Sequence, residues 1–159
     1  MPPVLDVYVW VPSGPPVAAA LGRFIDKYVA QAPGDPRLDA LTRTFVTEQP
    51  DPGDQNVLAE LRRDDSAGKA LSMYLRAKAH HEAIITITER GDLVLGLGLD
   101  DPDNAPETMR QASELMTSLI SEFHASAGIA GIELSPPQSA HEWDDALVQL
   151  REGNLNAVT

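Results

Sequence analysis

The sequence predicts an α+β fold. The specific expectation is a ferredoxin-like βαββαβ antiparallel sheet, with a helical insertion at about residues 35–80 and a C-terminal helix. Three observations carry it. Residues 4–11 and 83–99 alternate apolar side chains with a period of two. The stretches from Val17 to Tyr28 and from Met109 to Phe123 repeat them at helical spacing. With 35–80 set aside, the elements run strand, helix, strand, strand, helix, strand, which is the split βαβ order.

The first strand is Val4–Val11. Leu5, Val7, Val9 and Val11 share one face, and Asp6, Tyr8 and Trp10 the other. Pro12-Ser13-Gly14 ends it, and Pro15-Pro16 suits a first helical turn, where a missing N–H costs little. Val17, Leu21, Phe24, Ile25 and Tyr28 then form a helical stripe, stopped by Ala32-Pro33-Gly34. Asp35-Pro36 pairs an N-cap with proline at the first helical position, and Leu38, Leu41, Phe45 and Val46 continue that helix. Val57, Leu58 and Leu61 mark a short helix that ends in Arg62-Arg63-Asp64-Asp65. Residues 67–79 fit a helix through Ala67, Ala70, Leu71, Tyr74 and Leu75, and a strand through Leu71, Met73 and Leu75. Helix is preferred, because Ala, Leu, Lys and Arg dominate and β-branched residues are absent.

Ala83–Glu89 and Asp92–Leu99 flank Arg90-Gly91, read as a two-residue hairpin turn. Asn104 and Glu107 have the spacing of a capping box, ahead of a helical face of Met109, Ala112, Leu115, Met116, Leu119, Ile120 and Phe123. Ile129–Leu134 reads as a strand closed by Pro136-Pro137. Ser139 and Glu142 repeat the capping-box spacing. Trp143, Ala146, Leu147 and Leu150 then predict a final helix, although Ala146, Val148 and Leu150 also alternate. Residues 1–151 are expected to form a single domain and 152–159 a frayed tail.

Alternation sorts the sheet faces. Leu5, Val7, Val9, Val11, Ile85, Ile87, Leu93, Leu95, Leu97, Ile132 and Leu134 are assigned to the helix-covered core. The opposite face is expected to show Asp6, Tyr8, Trp10, Thr86, Thr88, Gly96, Gly98, Gly131 and Glu133, with Ile84, Val94 and Ile129 joining nearer the strand ends. Glycine is unusual in strands and often admits a close approach. Such a face is open to three uses: burial under the 35–80 insertion, pairing with a second copy as a homodimer, or binding a partner or ligand.

Composition narrows the function. The chain has 159 residues, 24 acidic and 12 basic side chains, a formal charge of −12 and no cysteine. Without cysteine there is no disulfide framework, thiolate zinc site, iron–sulfur cluster or cysteine nucleophile. The charge argues against nucleic acid or an anionic membrane as a partner. It is concentrated in residues 100–159, which hold 11 acids against Arg110 and Arg151 alone. Nine arginines to three lysines, with abundant Ala, Pro, Asp and Val, suit a GC-rich bacterial genome. The apolar N-terminal run contains Asp6 and lacks a basic region, so no signal peptide is expected and a cytoplasmic location is.

Catalytic and metal signatures are weak. His80-His81-Glu82 are adjacent and point apart on a regular element, with no chelating spacing. Asp100-Asp101-Pro102-Asp103-Asn104 has the composition of a calcium loop but lacks its glycine and its final glutamate. Gly96-Leu97-Gly98 lacks the third glycine of a dinucleotide fingerprint.

The expected function is therefore a non-enzymatic module that binds a basic protein. Its size and charge match those of immunity proteins that neutralise nuclease toxins; no family motif supports the comparison. Steering would come from the acidic last third and anchoring from aromatic side chains. The binding residues expected are Asp6, Tyr8, Trp10, Thr86, Thr88, Glu133, Trp143 and Asp144, with no catalytic residue, metal or cofactor. The alternatives are a small-ligand binder or enzyme using the Tyr8, Trp10 and Glu133 face, with Glu133 as acid or base beside Asp6, and a structural homo-oligomer subunit.

Overall fold

The computed structural model describes residues 4–30, 35–61, 70–100, 106–153 and 155. The expected stop at 32–34, the helix end at 62–65, the Asn104 cap, the acidic loop beyond Asp100 and most of the tail after Gly153 lie outside them. The chain is α+β, with one antiparallel sheet of six strands and five helices among the described residues. The order along the chain is β1 (Val4–Val11), α1 (Pro16–Tyr28), α2 (Pro36–Phe45), α3 (Asp54–Ala59), β2 (Leu71–Leu75), β3 (Ala83–Ile87), β4 (Leu93–Asp100), α4 (Pro106–Phe123), β5 (Ala127–Ile132), α5 (Ala140–Asp145) and β6 (Leu150–Gly153). Across the sheet the order is β2-β3-β4-β1-β5-β6, which is not a plain four-stranded ferredoxin-like order. No helix among the described residues is long and apolar enough to cross a membrane.

One face of the sheet carries the main core. Leu5, Val7, Val9 and Val11 meet Leu21 and Phe24 of α1, Leu41 of α2, and Met116, Leu119 and Phe123 of α4. Asp35 caps α2 as its sequence indicates, its Oδ1 accepting from the N–H of Arg37 at 3.0 Å. The insertion packs on this same face: Leu38, Leu41, Leu58, Leu71 and Met73 belong to that core.

Three local expectations are corrected. The insertion is not wholly helical, because Leu71–Leu75 is strand β2, paired along β3. Alternation decided the outcome over propensity: Leu71, Met73 and Leu75 bury while Tyr74 is 49% exposed. The C-terminal helix stops at Asp145, and β6 pairs with β5 through Gly153. Beyond that short helix Ala146 and Val148 pack on the second face without forming a strand, and Leu150, which packs against the main core, opens β6. Between β3 and β4 the connection is three residues, Glu89-Arg90-Gly91. Thr88 N–H donates to Asp92 O at 2.9 Å, and Gly91 sits at φ 84°. A two-residue turn would move Ile85 and Ile87 out of register with Leu95 and Leu93, opposite which they stand.

The second face is also covered, though not by the insertion. Tyr8, Trp10, Ile84, Val94, Ala127, Ile129 and Trp143 form a second core, against which Leu134, Ala146 and Val148 pack. The cover is thus the segment between β5 and β6, with Trp143 of α5 at its centre. Leu134, expected on the helix side, crosses to this face because Glu133 turns the chain with φ 50°. Every residue of β1 is buried as a result.

Candidate functional site

Strand register gathers carboxylates at one end of the sheet. Asp6 stands opposite Gly98 of β4 and Gly131 of β5. A Cβ at position 98 would lie 3.3 Å from Asp6 Oδ1 and 2.9 Å from Val4 Cγ1, so only glycine leaves room for that carboxyl group. Residues 81 and 82 are fastened beside it: His81 N–H donates to Gly98 O at 2.9 Å, and Gly98 N–H donates to Glu82 O at 3.0 Å. His81 Nδ1 lies 2.8 Å from Asp100 Oδ1 at the end of β4. From the other side, Glu133 folds back onto β1. Its N–H donates to Val4 O at 2.8 Å, and its Oε1 accepts from Val4 N–H at 3.0 Å. Glu133 holds a left-handed conformation to do so, which is costly for a residue with a Cβ and often accompanies function.

Asp6 is the buried member, 6% exposed. Burial pushes its carboxyl up to about 7; the Leu134 N–H that donates to it and His81 act against this, and Glu82 and Glu133 add to it. The same burial, together with the charge of Asp6, drives the Tyr8 hydroxyl further up. Asp6 therefore changes charge near neutrality, among acidic neighbours. A cation brought to this end would draw the proton off and pair with the carboxylates. Among the described residues no group of three or more His, Asp and Glu side chains is placed to hold a metal ion.

The expected binding residues divide. Asp6 and Glu133 come together at this end. Tyr8, Trp10, Thr86, Thr88 and Trp143 are buried, between 0% and 6% exposed, inside the second core or at its edge. Trp10 and Trp143 meet edge to face at 5.4 Å. Thr86 Oγ1 bonds Ser72 Oγ at 2.8 Å, which accepts from Gln138 Nε2 at 3.0 Å, a polar thread tying β3, β2 and the cover. The open aromatic surface expected for a partner or a second copy is thus filled by the chain's own cover. Asp144 remains exposed on α5, apart from the cluster.

His81, Glu82 and Asp100 are the members that the local motifs did not reveal. Read as neighbours in sequence, they suggest a failed metal site and a failed calcium loop. Read through the hairpin, they stand beside Asp6. The signal was the requirement that Ile85 and Ile87 share a face with Leu93, Leu95 and Leu97, which forces an odd-numbered loop and puts residue 82 opposite 98.

Comparison of the chain with protein-family models, with curated proteins and with solved structures finds no match.

Proposed function

We propose that this chain is a non-enzymatic module that binds a basic protein partner, of the immunity-protein kind. The observation that carries the reading is the meeting of Asp6, Glu82, Asp100 and Glu133 at one end of the sheet, contributed by four separate segments. The two bases of the last third add little counter-charge there. Arg110 is held between Glu107 and Glu114, and Arg151 donates to Trp143 O. A partner would be steered by the negative field and would place a lysine or arginine against the carboxylates. Asp6 would ionise as the cation arrives, so affinity would rise with pH through about 7.

This reading moves the aromatic side chains from anchors to supports, since Tyr8, Trp10 and Trp143 are buried. It also takes the fold as a ferredoxin-like sheet extended at both edges. In favour of that, leaving out β2 and β6 gives the order β3-β4-β1-β5, with a helix after the first strand and another before the last. A bacterial cytoplasm is the proposed setting, on composition.

The test is capture from a lysate of the native host, with D6N/E82Q/E133Q as the control bait. A basic protein held at stoichiometry by the natural chain, lost with the control and released by salt, is the expected result. A basic protein held equally by both baits would overturn the assignment of this surface. Recovery of the bait alone would overturn the partner reading.

A further inference from the structure

At the opposite end of the covered face lies a cleft of about 350 Å³, within the size range of small-molecule sites. Trp10 and Thr88 line its inner part, Gln138 and Ser139 of the cover line one wall, and Arg90 of the β3–β4 turn stands at its rim. Its polar groups are not equally available. Asp92 is committed: its Oδ1 accepts from Ser13 N–H at 2.7 Å, and its own N–H donates to Thr88 Oγ1 at 2.9 Å. Gln138 Nε2 is engaged with Ser72. Ser139 Oγ accepts from Glu142 N–H at 3.1 Å, which leaves the hydroxyl hydrogen to donate elsewhere. Arg90 makes no hydrogen bond or ion pair among the described residues, whereas Arg43 and Arg110 each engage two carboxylates. A guanidinium without a carboxylate, in a chain with 24 acids, is left free to meet an anion.

We infer that this cleft is a binding site for a small carboxylic acid with a flat apolar body. Arg90 and the Ser139 hydroxyl hold the carboxylate, and Trp10 and the methyl group of Ala140 contact the body. The inference is independent of the acidic end: the two sites lie at opposite ends of β1 and call for ligands of opposite charge. Glu89 and the engaged Asp92 are the acidic side chains of the lining, beside His141, and the two carboxylates make a cationic ligand the competing reading.

The test uses the whole chain, isotopically labelled, titrated with benzoate and separately with benzylammonium, which has a similar ring and the opposite charge. Benzoate is expected to shift the Trp10 indole N–H and the amides of Thr88, Arg90 and Ser139 saturably. Benzylammonium is expected to leave them in place. Arg90→Gln lies on an exposed turn and keeps the fold, which its spectrum will show, and should weaken benzoate by roughly tenfold or more, as loss of a charged hydrogen bond does. Equal or stronger shifts with benzylammonium would overturn the anion assignment. Absent benzoate shifts, or shifts unchanged in Arg90→Gln, would overturn the site.

Discussion

The phenolic hydroxyl of Tyr8 donates to the carbonyl oxygen of Leu134 at 2.5 Å, while the N–H of the same leucine donates to Asp6. Two side chains of β1 thus hold both polar groups of the one residue where the cover begins. Asp6 belongs to the acidic end and Tyr8 to the second core, so the proposed binding surface and the cover share an anchor.

Tyr8→Phe keeps the ring and removes the donor. The Leu134 carbonyl would then lack its side-chain partner, a loss worth about 1–3 kcal/mol. Urea unfolding should report that decrease, and amide exchange should rise in the 134–148 cover more than in β1 or β4. Uniform exchange across the sheet would mean that Tyr8 supports the whole core and does not anchor the cover.

Asp6 makes stability depend on pH in a stated direction. Its carboxyl stands at about 7 when folded and near 3.8 when unfolded. Below pH 4 both states hold the proton, and the contribution of Asp6 is at its greatest. Between 4 and 7 the unfolded chain loses its proton first, so stability falls as pH rises, by at most about 1.4 kcal/mol per unit. Above 7 the decline levels off. Asp6→Asn should remove this component, flattening the profile of urea midpoints from pH 4 to 7. A natural chain that gains stability relative to Asp6→Asn across the window would contradict the burial-driven shift.

How much was legible in the sequence follows from where the information lies. The faces of β1, β3 and β4 could be read from alternation, because each pattern is set by burial within one strand. The cap at Asp35 could be read because it acts within three residues. The fate of Leu71–Leu75 could be read only as one of two options, since its short alternation lies among helix-forming neighbours and becomes a strand only when β3 offers an edge. Asp6 and Glu133 were legible as polar residues of one face. Their meeting with Glu82, His81 and Asp100 was legible only through the hairpin register, which the shared face of Ile85, Ile87, Leu93 and Leu95 sets and a two-residue turn hides by one residue. The burial of Tyr8 and Trp10 turned on a cover that packs mainly through Leu134, Trp143, Ala146 and Val148, too irregular a set for any period to mark.

Trp143 is the centre of that cover, 1% exposed and edge-on to Trp10. Trp143→Ala should cost about 3–5 kcal/mol. The remaining Trp10 emission should shift to the red as water reaches its ring. Leu147, four residues on, is 91% exposed, and Leu147→Ser should change stability by less than about 0.5 kcal/mol. Comparable losses from the two substitutions would show that the cover does not sit as described.

Gly131→Ala tests the seating of the cover from the sheet side. A Cβ at position 131 would stand 2.9 Å from the Leu147 carbonyl oxygen and 3.4 Å from Leu134 Cδ2. The first is a backbone atom, and its neighbour Gln149 N–H donates to Ala130 O at 2.8 Å, so the clash cannot be relieved by turning a side chain. The added methyl should therefore lift the cover from β5 at a cost of about 1–3 kcal/mol. Protection of the Gln149 amide should drop, while that of β1 against β4 is retained. Loss confined to Gln149 and its neighbours is the expected pattern, because β6 remains paired with β5 beyond it. Collapse of the whole sheet would instead mean that the cover and the sheet unfold as one unit.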